Sequence, residues 1–241
     1  MSNFATHAMK RAADVMGFEV RRRQDGKPWD QSFRKWIAEA EARGMDPNDL
    51  GDVEWAGDPA RILETHAAGL YDTDSVVLEL GPGTGRATRH VLPLCRKMIL
   101  LDYSEFVCEW LDGYLADKGE FETHWLEHPK FTVVSDRCVD FAFAYGVFEH
   151  VELDDTWELL REMFRVLKPN GNLWFNFDTL ATSGGLAHFK AERKRLGPEQ
   201  RSVFRFHHPD DVCLLAQDVG FEVSHMERNE DRSVWMTLHK Q

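Results

Sequence analysis

Two acids and three glycines stand where a nucleoside-like ligand would be gripped. Glu79 lies inside the run Val76-Val77-Leu78-Glu79-Leu80, and Gly81, Gly83 and Gly85 follow it at once. A mostly apolar run of this length suits a buried parallel strand, and the glycines let the backbone turn tightly and come close to a ligand. Thr84 is placed to cap a following helix whose apolar stripe is Ala87, Val91 and Leu92. Strand, turn and helix together present free backbone N–H groups and the positive end of a helix. Asp102 closes a second apolar run, Met98-Ile99-Leu100-Leu101. In a doubly wound sheet the second strand ends beside the first, so Asp102 suits a carboxylate that holds ribose hydroxyls, with helix capping ahead of Glu105 as its structural alternative. The dinucleotide fingerprint needs its third glycine where Arg86 stands, which argues against NAD.

The pattern Glu79-Leu80-Gly81-Pro82-Gly83-Thr84-Gly85 resembles motif I of the class I S-adenosylmethionine (SAM)-dependent methyltransferases. A second stretch, Arg165 to Gly171 ahead of a strand, resembles another hallmark of that family. The resemblance covers about Asp74 to the C-terminus, while the first seventy residues match nothing recognisable. It implies an α/β fold: a doubly wound, mostly parallel seven-stranded sheet with helices on both faces and an antiparallel last strand. It also implies SAM as cofactor and S-adenosylhomocysteine (SAH) as product. Glu79 would lie near the cationic aminoacyl end and Asp102 at the ribose, with Tyr103 beside it. Asp136 is the nearest match to an acid that meets the adenine amino group, though it stands unusually close to the next strand. Gly146 to Val151, after Tyr145, would face methionine and substrate.

Methyl transfer from a sulfonium is an in-line displacement, so the main task is to align acceptor and methyl while excluding water. A hydroxyl acceptor also gains from a general base, and histidine is the side chain best matched to neutral pH. His207 is the first choice, His150 the second and His208 the third. Orienting the cofactor loop is the structural alternative for His150, and capping ahead of Pro209 for His208. Arg205 would hold an anionic or sugar-like acceptor by a forked hydrogen bond, and Trp29 belongs with the substrate-side residues. The resulting expectation is O-methylation of a small molecule, with no metal. N- or C-directed transfer, a SAM-binding protein without activity, and a nicotinamide-dependent oxidoreductase are the alternatives. Two carboxylate groupings, Asp178 alone and Asp154-Asp155, are read as too poor in oxygen for a metal and as helix caps, respectively.

The elements that must position these residues follow from periodicity. Residues 1–71 read as an N-terminal helical cap without strand alternation, with Ala5, Ala8, Met9, Ala12, Ala13 and Met16 on one face. Further helices carry Phe33, Trp36, Ile37 and Ala40, then Ile62, Leu63, Ala67 and Leu70. Trp29, Trp36 and Trp55 serve this segment as docking contacts or as a lid. Residues 72–241 read as the core domain, with strands expected at 131–134, 140–145 and 172–177, a loop-and-helix insert at about 179–205, and a closing hairpin of 221–226 and 233–239. A capping box at Asp155 to Glu158 opens the helix of Trp157, Leu160, Phe164 and Leu167.

Composition narrows the classes. The 29 basic and 41 acidic residues give a net charge of −12, which opposes a phosphate-binding face for nucleic acid; the short run Arg21-Arg22-Arg23 reads as a solvated helix end. Four scattered cysteines imply reduced thiols and a cytoplasmic protein, and no apolar run has the roughly 20 residues that span a bilayer.

Overall fold

The computed structural model describes residues 27–55, 57–197, 199–200 and 202–241. The expected face of Ala5 to Met16 and the run Arg21 to Arg23 lie outside the described residues. In chain order the elements are α1 Lys27–Ala42, α2 Pro47–Glu54, α3 Pro59–His66, β1 Val76–Leu80, α4 Thr88–Val91, β2 Lys97–Asp102, α5 Glu105–Tyr114, β3 Phe121–Trp125, β4 Val139–Ala144, α6 Leu153–Val166, β5 Leu167–Asp178, α7 Ser183–Leu196, α8 Pro209–Val219, β6 Glu222–Arg228 and β7 Ser233–His239.

The strands form one sheet in the order β3-β2-β1-β4-β5-β7-β6. The pairs from β3 through β5 are parallel, and β7 runs antiparallel between β5 and β6, as expected. Because side chains alternate across a strand, each strand feeds two cores. Val76, Leu78 and Leu80 join Ala142, Phe175 and Met236 beneath α6 and α8, through Leu160, Met163, Val212 and Ala216. On the other face Val77, Leu100, Phe143 and Trp174 pack with α5 through Leu111 and with α3 through Leu63 and Ala67. α3 is thus a covering layer of the sheet itself. α1 docks beside α5: Ser104 Oγ donates to Asp30 Oδ1 at 2.5 Å, and the Arg34 guanidinium lies 4.0 Å from the centre of the Phe106 ring.

Four local expectations are corrected. The third strand is Phe121–Trp125, not 131–134. It is a half-buried edge strand whose polar residues hide it, whereas Phe131 and Val134 are buried as an irregular turn held by Glu162, which accepts the Phe131 N–H at 2.7 Å. Thr84 caps no helix; the regular turn begins only at Thr88, and Thr84 Oγ1 instead donates to Asn48 Oδ1 at 2.6 Å. α6 begins at Leu153 with Glu152 as N-cap, so Asp154 and Asp155 lie in its first turn, where they favour the helix dipole without capping it. Lys168 to Gly171 are already part of β5 rather than a break before it.

Candidate active site

Leu80, Asp102, Ala144 and Asp178 end β1, β2, β4 and β5 at one edge of the sheet. Between β1 and β4 the strand order reverses, which is where an open α/β sheet forms its crevice. A cleft of about 1900 Å³ opens there, lined among others by Glu79, Asp102, Tyr145, His150, Asp178 and Trp29.

One half of the cleft is built on the glycine loop. Gly81, Gly83 and Gly85 all take positive φ, at 68°, 55° and 91°. A Cβ on Gly81 would meet Val147 at 2.5 Å, so the close approach of the two loops demands glycine there. Glu79 is buried, and Thr88 Oγ1 donates to its Oε2 at 2.7 Å. Burial pushes its carboxyl up to about 8, against the pull of that hydroxyl and with a small push from Asp102. Asp102 is also buried and is raised to about 6 by desolvation, although backbone N–H groups, Ser104 N at 2.8 Å among them, pull it down. Carboxyls held this far from their ordinary values in a cleft suit a ligand that brings a cation and hydroxyl donors. SAM brings a sulfonium, an ammonium and a ribose diol, so the residues present fit it. Tyr103 also lines this half.

The loop is fastened from the N-terminal side. Asn48 Nδ2 donates to the Thr84 carbonyl at 2.9 Å and Asn48 Oδ1 accepts from the Thr84 hydroxyl, both inside the protein. Arg86 Nε donates to Asp52 Oδ1 at 2.7 Å. Trp36 and Trp55 stack with ring centres 4.3 Å apart at the rim. The asparagine gave no signal in the sequence, because its partner lies 36 residues away.

The second half holds the substrate-side candidates, and here the placements differ from expectation. His150 lines the cleft with Trp29, which meets it edge-on at 4.9 Å between ring centres. Its Nδ1 lies 3.2 Å from the Val203 carbonyl; a carbonyl only accepts, so Nδ1 carries the proton and Nε2 the lone pair. Desolvation lowers this imidazole to about 4. His207, the first choice as base, does not line the cleft: it is buried and its Nε2 lies 3.0 and 3.2 Å from the carbonyls of Val151 and Phe148. Its proton is shared between two backbone acceptors, so it fastens the loop after β4. His208 is the N-cap of α8, its Nδ1 accepting the Asp210 N–H at 3.3 Å. Asp136 lies on the surface in an ion pair with Arg165 at 2.6 Å, outside the cleft, so it is not placed to meet adenine. Arg205 does line the cleft, yet its Nε binds Glu152 at 2.6 Å and its Nη1 the Ser202 carbonyl at 2.8 Å, so its fork is turned to the protein.

Asn176 was not singled out in the sequence, Asp178 was weighed only as a metal ligand and Glu149 only as part of the run Gly146 to Val151; all three line this half. Asn176 Oδ1 accepts the Gly146 N–H at 2.8 Å, fixing the turn after β4. Phe189 and Arg193 of α7 reach the rim from the insert. Among the described residues no group of three or more His, Cys, Asp or Glu is arranged for a metal ion, and no helix is long and apolar enough to cross a membrane.

Residues 78–175, from β1 into β5, match the family model described as a methyltransferase domain. No curated protein sequence matches the chain. Among solved structures, a SAM-dependent methyltransferase from Aquifex aeolicus is 19% identical, with a TM-score of 0.55 over 76% of this chain and 90% of that one. The geranyl diphosphate C-methyltransferase of Streptomyces coelicolor A3(2), solved with Mg²⁺, geranyl diphosphate and SAH, is 11% identical, with a TM-score of 0.57 over 76% and 77%. The [4+2]-cyclase SpnF is 14% identical, with a TM-score of 0.58 over 80% of each chain. At these identities the likeness is one of fold.

Proposed function

We propose that the chain, whose residues 78–175 match a methyltransferase domain, is a class I SAM-dependent methyltransferase that methylates a small molecule seated between Trp29, His150 and the end of β5. Bound SAM supplies an electrophilic methyl on a sulfonium. The single observation that carries the reading is that one cleft has the glycine loop with Glu79 and Asp102 on one wall and His150 with Trp29 on the other. On this reading Asp102 holds the ribose diol, and Glu79 offsets the cationic end of the cofactor. Trp29, standing over His150, keeps water from the acceptor and narrows its approach, which is the alignment an in-line displacement requires.

Of the three histidines weighed for a hydroxyl acceptor, His150 is the one placed to receive its proton, through Nε2. A base held near 4 is weak but is neutral across the physiological range, so it stays open to a proton at every working pH. A second reading keeps the cofactor half and transfers no methyl; one solved structure of the same fold is described as a [4+2]-cyclase.

The deciding experiment incubates the purified chain with methyl-labelled SAM and a metabolite extract of its own source, following SAH and labelled small molecules by mass spectrometry. SAH formed together with a labelled metabolite is expected. SAM binding without SAH formation would favour the second reading, and tight NAD binding without response to SAM would overturn both.

A further inference from the structure

One carboxylate oxygen in the substrate-side half meets no donor within the fold. Glu149, on the turn after β4, is only 8% exposed, lines the cleft, and has an Oε2 that meets no hydrogen-bond donor. On the neighbouring strand Asp178 is 2% exposed, lines the same wall, and its Oδ2 likewise accepts no hydrogen bond, though Arg232 Nε stands 3.2 Å away in an ion pair. One guanidinium therefore serves two buried carboxyls. A buried acceptor left without a donor is costly, so such groups persist where a ligand completes them.

The cations around this wall are already engaged. Arg205 is turned to Glu152 and the Ser202 carbonyl, Arg193 to the carbonyls of Gly197 and Gln200, and Arg86 to Asp52. Arg232 Nη1 meets the His188 ring. An anionic acceptor finds carboxylates here and no open guanidinium fork among these. A neutral hydroxyl offers a single O–H to two carboxyls, each with one oxygen that accepts no hydrogen bond. An amine in its ammonium form offers three N–H donors and the missing positive charge, and Trp29, Tyr145 and Phe204 give its carbon body an aromatic lining.

Resting on the methyltransferase reading, we infer that the acceptor is an amine seated on Glu149 and Asp178 through its N–H groups, and that the methyl goes to nitrogen rather than to the hydroxyl oxygen expected from the sequence. The ammonium yields one proton to the carboxylate pair, which frees the nitrogen lone pair. That pair forms the N–CH₃ bond as the S–CH₃ bond breaks. The electrons of the broken bond stay on sulfur as the neutral thioether of SAH, and the positive charge passes to nitrogen. Before an amine arrives the pair holds a proton of its own: burial first, and then the charge of Asp178, push Glu149 up to about 8, with Arg232 opposing. Asp178 is raised to about 6 by burial, with Arg232 opposing and Asp231 adding. Arg205, Arg193, Glu152 and Asp231 are the further charged groups lining the cleft here, and His150 stands among them neutral. An entering ammonium displaces that proton, so binding releases protons to the solvent.

Calorimetry on the full chain saturated with SAH tests this at neutral pH, with 2-phenylethylamine against 2-phenylethanol and hexylamine against hexanol. In at least one pair the amine should bind roughly tenfold more tightly than the alcohol, as charge-assisted hydrogen bonds do. Its heat should change between buffers of different ionisation enthalpy, the sign of proton release. Glu149→Gln and Asp178→Asn should each bring amine and alcohol to within about threefold while SAH affinity, the check on folding, holds. Alcohols binding as tightly as the amines, or neither kind binding to SAH-loaded protein, would overturn the amine proposal and leave the methyltransferase reading standing. A chain that binds no SAH at all would overturn both.

Discussion

Trp29 and His150 meet edge-on with ring centres 4.9 Å apart, although 121 positions separate them in the chain (150 − 29). This contact brings α1 onto the turn after β4, and it is part of what keeps water from the imidazole. His150 should therefore stay neutral far below the usual histidine range, gaining its proton only near pH 4. Trp29→Ala should let solvent in and return the ring toward 6.5, its ordinary value. Titration of the His150 ring by NMR checks this without any acceptor. A wild-type ring that already titrates near 6.5 would remove the basis for a desolvated base. The same lowered value means that no histidine limb near pH 6.5 should appear in kcat; His150→Ala should slow turnover by about 10²-fold or more with a hydroxyl acceptor and far less with an amine whose proton goes to Glu149 and Asp178, whereas His207→Asn should act on stability.

Asp102 gives a test of the cofactor half. Its buried carboxyl is positioned by the Ser104 N–H, and hydrogen bonds to a charged group are worth roughly 1.5–3 kcal/mol. Asp102→Ala should weaken SAM and SAH by about one to two orders of magnitude in calorimetry. Unchanged affinity would place the ribose elsewhere.

Glu149 also predicts a pH dependence of stability. Its folded value, about 8, is above the ordinary 4.5, so the folded chain holds this proton more tightly than the unfolded chain does. The contribution is fully present below pH 4.5 and is lost as pH rises toward 8, where the buried group must ionise. With no cofactor bound, the Tm of Glu149→Gln minus that of wild type should therefore grow between pH 5 and pH 8. At roughly 2–4 °C per kcal/mol for a chain of this size, scanning calorimetry resolves the change. A constant difference would show the carboxyl to be solvated.

Asn48 supplies the fourth expectation. Its amide satisfies both the carbonyl and the hydroxyl of Thr84 inside the protein. Asn48→Leu should orphan the Thr84 hydroxyl at about 1–3 kcal/mol and leave the carbonyl only the long bond from Trp110 Nε1 at 3.4 Å, lower Tm, and weaken SAM binding without touching the cofactor. Loss of Tm with unaltered SAM affinity would limit the asparagine to a structural role.

What could be read from the sequence was what local pattern encodes. β1 and β2 are mostly apolar runs, the glycine loop has positions only glycine fills, and Arg165 to Gly171 carries the chain from α6 into β5. β3 escaped because an edge strand half open to solvent keeps polar residues such as Glu122 and Thr123, while the apolar Phe131 and Val134 were needed in a turn. The acids proposed for the cofactor, Glu79 and Asp102, were legible because each ends or interrupts a buried strand. Which histidine faces the cleft was not legible: His207 and His150 both lie outside the α-helices and strands, and what separates them is that two carbonyls occupy one ring while the cleft faces the other. The carboxyl pair of Glu149 and Asp178 arises only when β4 and β5 lie side by side; the run Gly146 to Val151 points to the substrate side, but nothing local pairs Glu149 with Asp178.

The packing of α3 bears on how this protein can be divided. Leu63 and Ala67 lie in the same cluster as Val77, Phe143 and Trp174, so the apolar underside of the sheet is finished by residues ahead of β1. A shortened chain starting at Asp72 would retain every strand, the glycine loop and all the matched methyltransferase residues, yet it would show water a bare aromatic floor. Such a fragment should self-associate during expression, and grafting this catalytic unit onto another protein requires carrying α3 with it.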